Sequence, residues 1–332
     1  MKIAVVKLSA LGDIVHAMVA LQFIKQQRPD ISVDWIVEER FAELLRHNPD
    51  INAIHTVNLK ALKQNKSVLW GEIAKVRLMA KNHYDLVIDA QGLLKSAITA
   101  CLLGKKRAGF DRHSIRETLA AWFYQTQVHC DYAANSIDRN TQVITEPLGL
   151  HITSDQIIAK QPFLYFKEPA VVIEPLLSQG QPTILFVIGS TWPSRNYPKE
   201  QLLTVINALQ QRSLILWGSP EEHETATWLA SHSQYAKRLP KLDLNSLKAL
   251  LAQVDLVIGN DTGPTHMAWG LNRPSITLFG PTPVSRVYQT DINKVLKSPS
   301  SVNPYKLNKQ DFSIAKIKPE MVVSLAQNIL TI

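Results

Sequence analysis

Short apolar runs rich in β-branched residues recur along the chain and alternate with stretches whose apolar positions return at helical spacing. That alternation predicts parallel sheets joined by crossover helices. In the N-terminal half the predicted strands are 3–6, 33–37, 53–57 and 86–88; in the C-terminal half they are 184–188, 214–217, 256–258 and 276–279. None alternates between apolar and polar, as expected of strands covered by helices on both faces. Helical periodicity fills the intervals at 13–28, 70–82, 93–104, 115–124, 134–148, 198–210, 220–232, 243–252 and 263–270. A last helix, 319–330, opens on Pro319, a residue suited to a first helical turn.

Between the halves, FLYFKEPAVVIEPLLSQGQPT places Pro169, Pro175, Gly180 and Pro182 where they break any long element, so this stretch reads as the linker. The 332 residues suit two α/β domains of about 150 residues each. Two such sheets set face to face would line a shared cleft with their strand C-termini and βα loops, where open α/β sheets bind ligands. No solenoid repeat or low-complexity tract interrupts this plan.

Composition narrows the class. Apolar residues at 45% against 19% charged supply two cores and exclude a disordered chain. The 36 Lys and Arg against 28 Asp and Glu leave a formal charge of +8, an attraction for phosphates, anionic membranes or nucleic acid that does not choose among them. Cys101 and Cys130 have no zinc or redox spacing and fit a reducing compartment. No apolar stretch approaches about 20 residues, and MKIAVVKLSALGD is too short in apolar character for a signal peptide, so any membrane contact is expected to be peripheral.

The βα loops carry the candidate chemistry. The first, KLSALGDIVHAM, has the single glycine Gly12; it lacks the G-x-G-x-x-G of a dinucleotide site although Glu38 and Glu39 close the second strand, which disfavours a nicotinamide oxidoreductase. A phosphate-cradling G-x-x-x-x-G-K-[ST] loop and a metal-holding D-x-D pair are also missing from the sequence. Asp13 in this loop reads either as a helix cap or as a general base facing the cleft. In GNDTGPTHMAWG, Asp261, Thr262 and Gly263 precede a helix whose N–H groups and dipole suit a diphosphate; Asp261 would accept hydrogen bonds from sugar hydroxyls, and His266 follows one turn on. Alternatively, Asp261 is a cap and His266 a core histidine. Ser190, Thr191 and Arg195 in GSTWPSRNYP offer two hydroxyls and a permanent cation to a diphosphate leaving group. Glu222 in WGSPEEHE is placed to take both hydroxyls of a ribose, or else supplies first-turn helix charge. In the first half, Lys95 follows VIDAQGLLKSA, and Lys60, Lys63, Lys66, Arg107, Arg112, Arg116 and Arg139 concentrate cations that suit a multiply anionic acceptor or a solvated face.

Six stretches in order, VKLSALGDIVHAMVAL, DWIVEERFAELL, VIDAQGLLKSA, WGSPEE, LPK and NDTGPTH…FGPT, resemble the lipopolysaccharide heptosyltransferases of glycosyltransferase family 9, and the resemblance spans nearly the whole chain. It implies a GT-B fold of two facing Rossmann-like domains: an acceptor-binding domain at 1–165, an ADP-heptose-binding domain at 166–318, and a C-terminal helix at 319–332 packing back toward the first domain. It further implies inverting transfer of L-glycero-D-manno-heptose from ADP-heptose to the first Kdo of Kdo2-lipid A, at the cytoplasmic face of the inner membrane. SALGD and DAQGLLKS favour the enzyme that adds the first heptose over one that adds the second. By the same resemblance Asp13 matches the general base. Ser190, Thr191, Arg195, Glu222, Leu242, Asp261, Thr262, Gly263 and His266 match the donor site, with Leu242 against the adenine. Lys60, Lys63, Lys95, Arg116 and Arg139 are the expected acceptor contacts, the lysines keeping part of an arginine-rich cluster. Arg195 stands before NYP where the family commonly has lysine before HWP. No cofactor and no divalent metal are expected. The partners are ADP-heptose, Kdo2-lipid A and an anionic membrane surface, and nucleic acid is not among them. The rival from another class is a non-enzymatic binder of anionic lipid or nucleic acid, which would have no use for the NDTG and WGSPEE loops.

Overall fold

The computed structural model describes residues 1–61, 65 and 67–331 and divides into two compact units, Met1–Tyr165 and Phe166–Ile332. In the first unit, strands β1 (Lys2–Val6), β2 (Ser32–Glu38), β3 (Ala53–Val57), β4 (Leu86–Asp89), β5 (Arg107–Phe110) and β6 (Thr126–Val128) form one parallel sheet in the order β3-β2-β1-β4-β5-β6. The chain starts in the middle, at β1, and winds first to one side and then to the other. Ile3 of β1 is thereby set between Val33 and Leu86, and Val5 between Trp35 and Ile88, all buried.

The second unit repeats the plan. Strands β7 (Thr183–Val187), β8 (Arg212–Leu216), β9 (Ala236–Arg238), β10 (Leu256–Asn260), β11 (Ser275–Phe279) and β12 (Asn293–Lys297) give the order β12-β11-β10-β7-β8-β9. Ile258 lies between Phe186 and Ile276 at the centre of this core. Both orders reverse at one point, between β1 and β4 and between β7 and β10, where open α/β sheets leave a crevice at the strand C-termini. Asp13 and Lys95 follow the first pair; Arg195 and Asp261 follow the second.

Four strands escape the apolar-run criterion. The sequences RAGF of β5, TQV of β6, AKR of β9 and NKVLK of β12 are short or charged, as befits strands at or next to a sheet edge, where one side meets less core. The predicted helix 13–28 is Leu11–Met18 and Ala20–Gln27, interrupted at Val19, and 115–124 is instead a 3-10 segment, Thr118–Phe123. The helix expected over 134–148 ends at Thr145, because Pro147 cannot continue the ladder and a 3-10 turn follows. The C-terminal helix Pro319–Leu330 buries Val322 and Ala326 in the core of the second unit and packs along the helix Lys199–Leu209. Its apolar face is therefore engaged by its own unit.

Candidate active site

Strand β10 ends on Gly259 and Asn260, and both are there to bring the neighbouring loops close. A Cβ on Gly259 would lie 2.6 Å from the Val187 Cβ and 2.7 Å from the Thr265 Oγ1, so a larger residue would push the following helix off the sheet. Buried Asn260 donates to the Ile188 carbonyl at 2.9 Å and accepts from the Tyr197 N–H at 3.1 Å, clamping the loop after β7 to the end of β10. The helix Gly263–Gly270 then begins, with Thr262 extended at its N-cap, Pro264 in its first turn, and no side chain capping it. Its first-turn N–H groups have no carbonyl partners within the helix and carry the positive end of its dipole.

Asp261, just before this helix, is almost wholly buried and surrounded by two arginines and a histidine. Its Oδ2 lies 3.0 Å from Arg195 Nη2 and 3.5 Å from Arg286 Nε, and its Oδ1 lies 2.9 Å from His266 Nε2. Burial by itself would raise its pKa, but Arg286, the His266 hydrogen bond and Arg195 together hold the carboxyl well below the usual carboxylate range. Asp261 is therefore an anchored anion that fixes two guanidinium groups beside a helix N-terminus. The sequence leads one to expect that it accepts hydrogen bonds from sugar hydroxyls; here its oxygens face these three side chains. His266 is likewise a buried partner of this carboxylate.

Beside this cluster, an open cavity of about 410 Å³ is lined by Ser190, Thr191, Tyr197, Lys199, Glu222 and their neighbours, within the range of small-ligand sites. Glu222 closes a capping box: Ser219 Oγ accepts its N–H at 3.2 Å and its own Oε2 accepts the Ser219 N–H at 3.4 Å, while the same oxygen accepts the Gly218 N–H at 2.7 Å. Capping and lining the cavity are thus combined in one side chain. A Cβ on Gly189 would fall 1.8 Å from Glu222 Oε1, so the carboxylate reaches the loop after β7 only because residue 189 is glycine. Ser190 Oγ donates to the Trp192 carbonyl at 2.8 Å and so shapes that loop, whereas Thr191 is exposed. Leu242 is half-buried just ahead of the helix Leu244–Leu251 and does not line this cavity.

In the first unit, the loop after β1 is tied to the loop after β4. Gln91 Oε1 accepts the N–H groups of Leu8 and Ser9 at 3.1 and 3.0 Å, and buried Lys7 donates to the Ala90 carbonyl at 2.8 Å. Asp13 is the third residue of the helix Leu11–Met18, and its Oδ2 accepts the Ala10 N–H at 3.3 Å, so it caps while remaining half-buried. Deeper in, Asp89 is fully buried, which pushes its carboxyl up; it accepts from Tyr124 Oη at 2.6 Å and from the Gln91 and Gly92 N–H groups.

Lys60 and Lys95 are exposed and flank buried Glu38, whose carboxyl is raised by burial against the pull of Lys95. Arg116 is exposed, and Lys63 lies outside the described residues. The Arg139 guanidinium donates to the Ser114 carbonyl and lies over Phe110 and Tyr132 at 5.4 and 4.7 Å. Sequence reading overlooked Arg286, which belongs to the loop after β11 that begins FGPTPVSR. Its signal was an arginine following a fourth buried strand at the same sheet end. Among the described residues, no three His, Cys, Asp or Glu side chains gather as a metal site.

The model of glycosyltransferase family 9 (heptosyltransferase) matches residues 74–311. The chain is 34% identical to lipopolysaccharide heptosyltransferase 1 of Campylobacter coli over 99% of both proteins. It is 32% identical to lipopolysaccharide heptosyltransferase 1 of Pseudomonas aeruginosa over 85% of this chain and 79% of that one. Among solved structures, E. coli heptosyltransferase WaaC with ADP-2-deoxy-2-fluoro heptose matches with a TM-score of 0.80 at 25% identity, covering 99% of each chain.

Proposed function

We propose, for a chain that belongs to glycosyltransferase family 9, the heptosyltransferases, that it moves L-glycero-D-manno-heptose from ADP-heptose to the first Kdo sugar of Kdo2-lipid A in lipopolysaccharide inner-core synthesis. Its paired parallel sheets are of the GT-B type. The observation that carries the reading is the pair Arg195 and Arg286 held by ionised Asp261 beside the N-terminus of Gly263–Gly270. Two fixed cations and a helix dipole suit a departing diphosphate, whose charge rises as the sugar leaves. Arginine adds a rigid fork of donors to that task.

The reaction is a single displacement with inversion. A Kdo hydroxyl oxygen attacks the anomeric carbon, the bond from that carbon to the phosphate oxygen breaks, and ADP departs as the diphosphate. Asp13 accepts the hydroxyl proton. Thr191, Thr262 and the Gly263 N–H join the arginines on the diphosphate, Glu222 takes the ribose hydroxyls, and Leu242 meets the adenine. Ser190 and His266 act by shaping their loops. Lys60, Lys63, Lys95 and Arg116 meet the anionic acceptor. With charge neutralised by arginine, the chemistry needs neither a cofactor nor a divalent ion.

The acceptor is lipid-borne, and no described helix is long and apolar enough to cross a membrane. We therefore place the enzyme at the cytoplasmic face of the inner membrane, held peripherally by an anionic lipid surface that attracts its net charge of +8. Incubation with ADP-heptose and Kdo2-lipid A tests the reading. The lipid should gain the mass of one heptosyl group with one ADP released, and an acceptor already bearing that heptose should compete poorly. Preference for the heptosylated acceptor would reassign the chain to the second transfer.

A further inference from the structure

Three neighbouring elements on one side of the first sheet leave large apolar side chains in solvent. The helix Val68–Met79 packs against the helix Leu94–Leu103, which packs in turn against the 3-10 segment Thr118–Phe123. Of the seven tryptophans, five are buried or half-buried; the two exposed ones are Trp70, at 75%, and Trp122, at 80%, and both stand on this side. Leu78, Ile98 and Leu119 are more than half exposed on the same three elements. Between the two helices lies an open hollow of about 200 Å³ whose lining includes Leu69, Ile73, Ile98 and Leu102. Scattered exposed apolar residues are normal, but a contiguous group marks a surface that something covers.

Charge says what covers it. On the outward face of Val68–Met79, at helical spacing, stand Trp70, Ala74, Arg77 and Leu78, followed by exposed Lys81, with no carboxylate among them. Glu72, the one acid of that helix, is buried and accepts the Asn58 N–H at 2.8 Å. The neighbouring helix exposes Lys95 beside Ile98, and Arg116 precedes the 3-10 segment. Glu38, beside Lys95, is buried, and exposed Glu117 accepts the Leu94 N–H at 2.7 Å. Tryptophan seated at a headgroup layer and flanked by lysine and arginine is the chemistry of an anionic bilayer surface.

We propose that Val68–Met79, Leu94–Leu103 and Thr118–Phe123 form a membrane-seating face, with Trp70 and Trp122 entering the headgroup layer of an anionic bilayer. The proposal rests on the reading of a lipid-borne acceptor, and it assigns that contact to particular side chains. The full chain is mixed with vesicles of phosphatidylcholine, with and without phosphatidylglycerol, in the absence of donor and acceptor, and sedimented. The wild type should partition onto the phosphatidylglycerol vesicles, less so at high salt. Trp70→Ser combined with Trp122→Ser should weaken that partition by about tenfold or more. Val172→Ser, which removes an exposed apolar residue of the second unit, should leave it unchanged. Heptosyl transfer to a Kdo acceptor stripped of its acyl chains should persist in the double variant, showing that it is folded. Loss of that transfer in the wild type with vesicle binding intact would count against the reaction and leave the surface standing. A wild type that ignores anionic vesicles, a double variant that binds like the wild type, or substitutions that abolish a dimer and leave vesicle binding intact would each overturn the proposal.

Discussion

Arg195 and Arg286 come from loops 91 residues apart in the chain yet meet the same oxygen of Asp261, at 3.0 and 3.5 Å. Two guanidinium groups held this close repel each other, and the buried carboxylate between them is what keeps both in place. A diphosphate arriving there would find cations already fixed, with less ordering to do on binding.

Replacing Asp261 by Asn keeps the shape and removes the anion. Breaking so buried an ion cluster should lower stability by about 3 kcal/mol and raise the Kd for ADP. The pH dependence has a definite sign. The folded carboxyl is held below its ordinary value of 3.8, so its stabilisation is complete above that value and is lost as the pH falls below it toward the folded pKa. Urea unfolding of the wild type should therefore weaken between about pH 4 and pH 2, and Asp261→Asn should flatten that limb. Parallel acid limbs in the two proteins would show that Asp261 contributes no such linkage.

Arg286→Ala should reduce kcat/KM on the order of 10²-fold, because it removes a donor that strengthens as the leaving group gains charge. Arg286→Lys should recover only part of this, since an ammonium lacks the fork. Turnover of the wild type in excess chelator should be unchanged. Full activity of Arg286→Ala would leave Arg195 as the sole working cation.

Asp13 both caps and, in the proposed mechanism, accepts a proton, and the substitution Asp13→Asn separates the two tasks. The amide side chain would still offer an oxygen to the Ala10 N–H but could not act as base. Turnover of this variant should drop on the order of 10²–10⁴-fold with ADP affinity kept. Near-normal turnover would reduce Asp13 to a cap.

Gly189→Ala tests the close approach of Glu222. The added Cβ falls 1.8 Å from Glu222 Oε1, so the carboxylate must swing out of its place. Nucleotide affinity, read by calorimetry with ADP, should fall about tenfold with the fold intact by circular dichroism. Unaltered affinity would remove Glu222 from the ribose site.

The central strands were legible because β1, β4, β7 and β10 are buried on both faces and so carry apolar runs, broken only at their ends by residues such as Asp89 and Asn260. The edge strands β6 and β9 were not, since TQV and AKR owe their pairing to neighbours rather than to their own pattern, whereas β3, at the other edge of the first sheet, was. At the site, the loops were legible but the wiring was not. Nothing in NDTGPTH says that Asp261 faces two arginines, because Arg195 and Arg286 reach it only through the sheet order that places β7, β10 and β11 side by side. Arg139 shows the reverse: a cation counted for an acceptor is held by a carbonyl and two rings of its own unit.

The claim on which the mechanism depends is that the Asp261-anchored arginines grip the diphosphate, and a crystal structure of the protein with ADP measures it directly. Phosphate oxygens should lie within hydrogen-bonding reach of Arg195, Arg286 and the Gly263 N–H. A nucleotide bound with its phosphates away from all three, both guanidinium groups still resting on Asp261, would contradict it.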